Sequence, residues 1–596
     1  MKKNKILPIL LSAAMLFTAC GNNTADNKDG AKEETAKEEN TKAESFKATE
    51  AGHNGDIEAT VNFEGDKIAS IDLVHKETEG LGDEAADKIV KEIVDKQSIN
   101  VDTVSGATVT STALIEAVKA AIEESGRDLK LYEKESDEAN KETETKDYDV
   151  VVVGGGGAGF AAAVTAKEAG ANVLLLEKLG QVGGNTLISG GEYAAPANEL
   201  QEKEGIEDSK EQFAKDVEEA GGNKELIEVL ADKATDGAHW LRDDIGVEWL
   251  DSLMFFGGHS VKRSYIPKNH TGNELISKYK TKAEELGIDL MTNTDVKEIL
   301  TKDGVVCGVR AEGSDKNYEI NAKSVVLATG GFGANAEMCY ENDKEVDEHV
   351  LSTNSPGATG DGIVMAQALG ADTVDMDKIQ LYPVCDVETG KLLYCGDTRL
   401  VGGALLVNKE GKRFVEELDT RRAISMAIKD QTDYVGYLIW DEKSNEKTGT
   451  MKSNPEEAKS LFDRGLMYKA DTIEELADHF GIDKEALVET VNTFNENSKK
   501  EEDPEFNLRM LGWTIDEGPY YMLKAAPAVH HTMGGLVINT DAEVQTEDGQ
   551  TIEGLYAAGE VTGGIHGKNR LGSVAMADIT VYGRIAGENA AKHAGK

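Results

Sequence analysis

The stretch ending in Gly572 gathers residue types that do chemistry together. From Val529 it reads VHHTMGG and continues into GLYAAGEVTGGIHGKNRLG, setting His530, Glu560 and Arg570 among closely spaced glycines. Glycines let backbone N–H groups approach a large planar or phosphorylated ligand, and His530 and Arg570 offer donors to a carboxylate. Surface turns need glycines, but they do not need a histidine, an acid and an arginine placed between them. A matching half lies upstream. Tyr148–Val153 reads as a short apolar strand, followed by Gly154-Gly155-Gly156-Gly157-Ala158-Gly159, a helical stretch Phe160–Ala169, a second strand Asn172–Leu176, then Glu177 and Lys178. Strand, glycines, helix, strand and acid in that order are the dinucleotide-binding unit. Gly154, Gly156, Ala158 and Gly159 admit the pyrophosphate to the helix N-terminus, and Glu177 takes ribose hydroxyls.

These elements must be carried by a chain of 596 residues, long enough for roughly two to four domains. The net charge of −46 argues against nucleic acid and against electrostatic docking on anionic lipid. Much of the acid sits in Asp26–Glu44 and Glu133–Asp147, whose composition reads as solvated tethers. At the start, Lys2, Lys3 and Lys5 precede the apolar run Ile6–Phe17, which ends in Thr18-Ala19-Cys20-Gly21. The run is too short to span a bilayer and resembles a bacterial lipoprotein signal, which implies lipid on Cys20 and a membrane-anchored, extracytoplasmic protein. No later segment is apolar enough to cross a membrane. Cys307, Cys339, Cys385 and Cys395 form no Cys-x-x-Cys, so neither haem attachment nor a thiolate cluster is expected, and no metal site. Cys385 and Cys395 either pair or remain buried thiols.

Asp56–Phe63 and Lys67–Val74 flank a Glu64-Gly65-Asp66 turn and predict a hairpin; Asp83–Asp95 and Thr112–Glu123 have helical spacing. Between the helices lies Asp102-Thr103-Val104-Ser105-Gly106-Ala107-Thr108. Read alone, it is a Ser/Thr helix cap. It also resembles the FMN-binding domain in which FMN is joined by a phosphoester to the final threonine. That implies covalent FMN at Thr108, attached by a flavin transferase that needs a hydroxyl among small neighbours.

Val325–Ala328 reads as a buried strand running into Thr329-Gly330-Gly331-Phe332, a second place where backbone meets a cofactor. With the Gly154 loop and Gly559-Glu560, this part of the chain, from Tyr148 onward, resembles the fumarate reductase/succinate dehydrogenase flavoprotein family, in its soluble, flavocytochrome-like branch. The resemblance implies an α/β fold: a Rossmann-like FAD-binding domain with an inserted mobile α+β clamp domain, preceded by a small α+β FMN-binding domain. The boundaries expected are a signal at 1–20, a disordered tether at 21–50, the FMN-binding domain at 51–125 and a linker at 126–147. The FAD-binding domain follows at 148–376 and 531–596, split by the clamp at 377–530. FAD contacts are implied at Gly184, Asn185, Thr186, Gly191, Asp361 and Ser573 besides those named. The stretch Gly183–Gly191 lacks the histidine that links FAD covalently in membrane-complex members, so FAD is expected to be held non-covalently.

By the same resemblance, substrate lies on the flavin with its carboxylate on His530 and Arg570. The proton donor is a clamp arginine after a Gly-Lys-Arg-Phe segment. Gly411–Phe414 leads to Arg421, with Arg422 a close rival; from spacing alone Arg421 reads equally as a surface charge beside Glu416 and Glu417. The chain departs from the fumarate pattern at the second carboxylate site. Tyr382 replaces a histidine before Pro383, and Asp397 follows Gly396 where the family has Thr-Glu. This exchange removes an anion site and builds one that accepts N–H donors, such as an imidazole. The pair resembles the urocanate-reducing branch, with Phe256 either stacking on the ring or serving as a core aromatic. The expected activity is reduction of a small unsaturated carboxylic acid, urocanate first, fumarate or an aryl acrylate as alternatives. Electrons are expected from a membrane quinol- or flavin-linked donor through FMN. An electron-carrier lipoprotein without a substrate is the reading of a different class, and a carrier needs no carboxylate clamp.

Overall fold

A computed structural model describes residues 44–51, 56–76, 82–101, 108–133, 141–401 and 403–596, so Cys20 and Ser105–Ala107 lie outside the described residues. The chain divides into two units, 1–136 and 137–596. In the first, strands Glu44–Ala51, Asp56–Glu64 and Lys67–Val74 form an antiparallel sheet with helices Gly82–Lys96 and Thr108–Glu124. Alternation in the central strand sends Ile57, Ala59, Val61 and Phe63 inward, where Ile89, Ile93, Leu114 and Val118 meet them.

Two expectations are corrected here. Glu44–Ala51 is not tether: it pairs along its length with Asp56–Phe63, because Phe46 and Ala48 alternate toward the core within an otherwise polar run. The far boundary also shifts, since Tyr132 is buried and its hydroxyl donates to Asp66 O at 2.7 Å.

The second unit is built on a six-stranded sheet in the order Asp289–Met291, Val173–Leu176, Val150–Val153, Ser324–Leu327, Thr551–Ala557, Glu543–Gln545. All pairs but the last are parallel. The central strands are Val/Leu runs buried on both faces, as a covered parallel sheet requires. Helix Gly157–Glu168 and the C-terminal helix Val574–His593 pack on this sheet and bury small residues between them. The glycines begin that first helix, a turn earlier than composition suggested.

The second tether is corrected as well. Thr143–Asp147 is a strand, parallel to Asn317–Asn321 at the edge of a four-stranded sheet. Its residues are polar on both faces, so backbone pairing and the Lys316–Glu144 ion pair at 3.0 Å hold it, and its composition carried no sign of this.

The clamp grows out of two strands. Tyr520–Thr532 pairs at one end with Ile379–Cys385 and Leu351–Ser352, and at the other with Gly436–Asp441 and Met467–Ala470. Two apolar clusters fill the clamp, and Arg413 is locked inside it between Glu417 and Asp503 at 2.7 and 2.9 Å. Cys385 and Cys395 are buried free thiols, whose ionisation burial opposes.

Candidate active site

The Gly154 loop closes the sheet end against Ala328. Gly154 sits at φ +107°, where a Cβ would lie 2.3 Å from Ala328 O, and a Cβ on Gly159 would lie 1.8 Å from Gly154 O. Only glycine fits either place, and the helix N-terminus is thereby brought to the rim of a long cleft. Gly154, Gly156, Ala158, Glu177, Lys178, Gly184, Asn185, Thr186, Gly330, Asp361 and Glu560 line that cleft. Gly159, Gly191, Gly331 and Ser573 are not among the lining residues. Gly191 packs on Gly272, Gly331 on Thr532, and Ser573, at φ +64°, places its Oγ 2.6 Å from Ser264 Oγ.

The donor set suits a dinucleotide. Glu177 accepts Gly155 N–H at 2.9 Å and Leu179 N–H at 2.8 Å, one on each carboxylate oxygen, which leaves further lone pairs for ribose hydroxyls. Burial pushes its carboxyl up. Lys178 bridges to Asp361 and Thr359 at 2.5 and 2.6 Å. Asn185 donates to Glu560 at 3.1 Å, and Glu560 accepts Thr532 N–H at 3.0 Å, tying the cleft to the strand that carries His530.

The cationic groups converge on one amide. Gln380 Oε1 accepts from Arg570 Nη2 at 2.9 Å and from Arg421 Nη1 at 3.2 Å. Its Nε2 donates to Arg570 O and Asn569 Oδ1, both at 2.9 Å, which fixes the amide's orientation. Arg570 Nε is buried without a partner, a donor left for a ligand oxygen. Burial and the neighbouring Arg421 push Arg570 down to about 9. Burial depresses Arg421 too, against the pull of Tyr382 and Asp397, which makes it a stronger acid than an ordinary arginine.

His530 owes its aim to a strand irregularity. Gln380 pairs with His531 and Leu381 with Val529, so His530 is the extra residue of a bulge. Its Nδ1 lies 3.0 Å from Thr353 Oγ1. Burial, then the charges of Arg570 and Arg421, hold the imidazole neutral.

Beside these donors lies an acceptor pair. Tyr382 donates to Asp397 Oδ1 at 2.6 Å, its ring centroid lies 5.5 Å from that of His530, and the Arg421 guanidinium sits 4.9 Å above it. Burial raises the Asp397 carboxyl despite Tyr382 and two arginines. Phe256 lies against Gly572, where a Cβ would stand 2.5 Å from its ring, and so abuts the Arg570 segment. The rival Arg422 faces elsewhere, pairing with Asp343 and Glu345.

Sequence reasoning missed three contributors. Gln380 had a signal, because it lies two residues before Tyr382 on one strand and shares its face. Glu192 had none. It is buried enough for its carboxyl to be raised, and the charges of His270, Asp397 and Arg570 reach it. Thr353 is recruited from a separate strand end and left no mark in the motif either.

The FAD binding domain family matches residues 149–576, and the FMN-binding domain family matches 52–123. A urocanate reductase of Eggerthella lenta is 45% identical over 91% of this chain and 91% of its own length. An NADH:fumarate oxidoreductase of Klebsiella pneumoniae is 37% identical over 90% of this chain and 57% of its own. The solved open conformation of a flavocytochrome c3 fumarate reductase superposes with a TM-score of 0.69 at 39% identity, covering 75% of this chain and 79% of that one.

Proposed function

Because the chain belongs to the fumarate reductase/succinate dehydrogenase flavoprotein family, as a urocanate reductase-like member with an N-terminal FMN-binding domain, we propose that its substrate is urocanate and its product imidazole propionate. It is a flavin-dependent oxidoreductase acting on a CH–CH bond of an unsaturated carboxylate, and its cofactors are FAD and FMN.

The observation that carries the choice of substrate is the buried Tyr382–Asp397 pair beside the cationic groups. Arg570, Arg421 and His530 offer donors, while the neighbouring Tyr382–Asp397 pair, with Glu192 nearby, offers acceptors. A second carboxylate would meet carboxylates there, whereas an imidazole N–H meets the acceptor it needs. When bound and reduced, FAD would supply the hydride that such an alkene accepts. Arg570 Nε and His530 hold the carboxylate on which charge builds, and Arg421 delivers the proton to the α carbon. The lowered pKa of Arg421, a consequence of its burial, and its hydrogen bond to Gln380 support that role.

The same proposal places covalent FMN on Thr108, which opens the helix Thr108–Glu124, as the relay from a membrane quinol- or flavin-linked donor. It places lipid on Cys20 and the enzyme on the extracytoplasmic face. Among the described residues no helix is long and apolar enough to cross a membrane. The test is anaerobic turnover with an artificial electron donor. Imidazole propionate should form in step with donor consumed, and failure to form it refutes the reading.

A further inference from the structure

The helix Arg421–Lys429 works on two sides. Its first residue reaches Gln380 in the site. Arg422 and Lys429 are seven residues apart and therefore share a different side of the helix. They meet the segment that follows the helix Ala336–Asn342, which precedes the clamp in the chain. Arg422 Nη2 lies 2.7 Å from Asp343 Oδ2 and 2.6 Å from Glu345 Oε2. Lys429 Nζ lies 2.6 Å from Asp347 Oδ2 and donates to Glu345 O at 2.7 Å.

The acids are held ready for these partners. Asp343 accepts Glu345 N–H at 3.0 Å and Asp347 accepts His349 N–H at 3.1 Å. Past the helix, the Tyr434 ring stacks on His349 with centroids 3.6 Å apart and planes 8° apart. Asp433 and Tyr434 take φ of +62° and +58°, a strained pair of non-glycine residues that the stack and the Lys409–Asp433 ion pair hold in place. The Lys429 and Asp347 side chains are 13% and 25% exposed, so water screens their pair less than it would a surface one.

We infer that these contacts form a latch between the clamp and the FAD-binding domain, and that Lys429 and Arg422 are positioning residues which keep Arg421 in register with Gln380 and Arg570. None of the latch residues lines the dinucleotide cleft. The role of the latch rests on the reading of Arg421 as proton donor, and it makes the proton-delivery step depend on ion pairs outside the site.

The experiment uses the flavin-loaded enzyme, reduced anaerobically with dithionite and reoxidised by whichever unsaturated acid reoxidises the wild type fastest. Lys429→Met should slow reoxidation about tenfold, leave flavin content and reduction by dithionite unchanged, and raise the solvent isotope effect on reoxidation. The exchanged pair Asp347→Lys with Lys429→Asp should recover at least half of the loss. If Lys429→Met does not fold, the isosteric Asp347→Asn, with the same outcomes expected, takes its place. Reoxidation at the wild-type rate, or slowing with an unchanged isotope effect and no recovery on charge exchange, overturns the latch. Arg421→Ala separates the two ideas, because a variant that still turns over overturns the proton-donor reading instead.

Discussion

At the residue scale the site is organised by acceptors as much as by its arginines. Two guanidiniums that repel one another share the oxygen of Gln380, and removing that oxygen leaves buried donors without a partner. Gln380→Met should therefore lower kcat at least about tenfold for every substrate, with FAD content unchanged, measured by steady-state turnover. Asp397 is expected to act on one substrate only. Losing a buried hydrogen-bond partner costs about 1–3 kcal/mol, so Asp397→Ala should reduce kcat/KM for urocanate about tenfold or more. The pH dependence has a definite sign. Burial raises the Asp397 carboxyl, so falling pH protonates it at a pH above the ordinary aspartate range and removes the acceptor. The acid limb of kcat/KM should therefore appear above that range in the wild type and flatten in Asp397→Asn. An unchanged limb assigns it to another group.

At the element scale, legibility followed the length of the local signal. The dinucleotide unit, the hairpin and both helices of the first unit were readable, because apolar periodicity and glycine punctuation sit within a few residues of one another. Glu44–Ala51 and Thr143–Asp147 were not, since an edge strand rich in charge is specified by the strand it pairs with. His530 was found by its type, but the bulge that aims it depends on the register of two distant strands. Gln380 could have been found from its place two residues before Tyr382, whereas Glu192 and Thr353 enter through tertiary packing alone. The helix Thr108–Glu124 begins at the residue expected to carry FMN. Thr108→Ala should abolish flavin that survives denaturation while sparing releasable FAD, read by fluorescence of the denatured polypeptide. Covalent flavin persisting in the variant contradicts the assignment.

At the scale of the whole molecule, a charge of −46 and two units separated by polar sequence suit an enzyme that meets small molecules and a redox partner. The proposed lipid anchor belongs to this scale. Cys20→Ala should move the protein out of the membrane fraction, and a wild type recovered mainly without lipid would contradict the anchoring. Urocanate is the substrate proposed to fit the cationic groups and the Tyr382–Asp397 pair beside them. The most direct test of that fit is the rate at which the anaerobically reduced wild type is reoxidised by urocanate and by fumarate at equal low concentrations. Faster reoxidation by urocanate is the outcome this account predicts, and faster reoxidation by fumarate would contradict it.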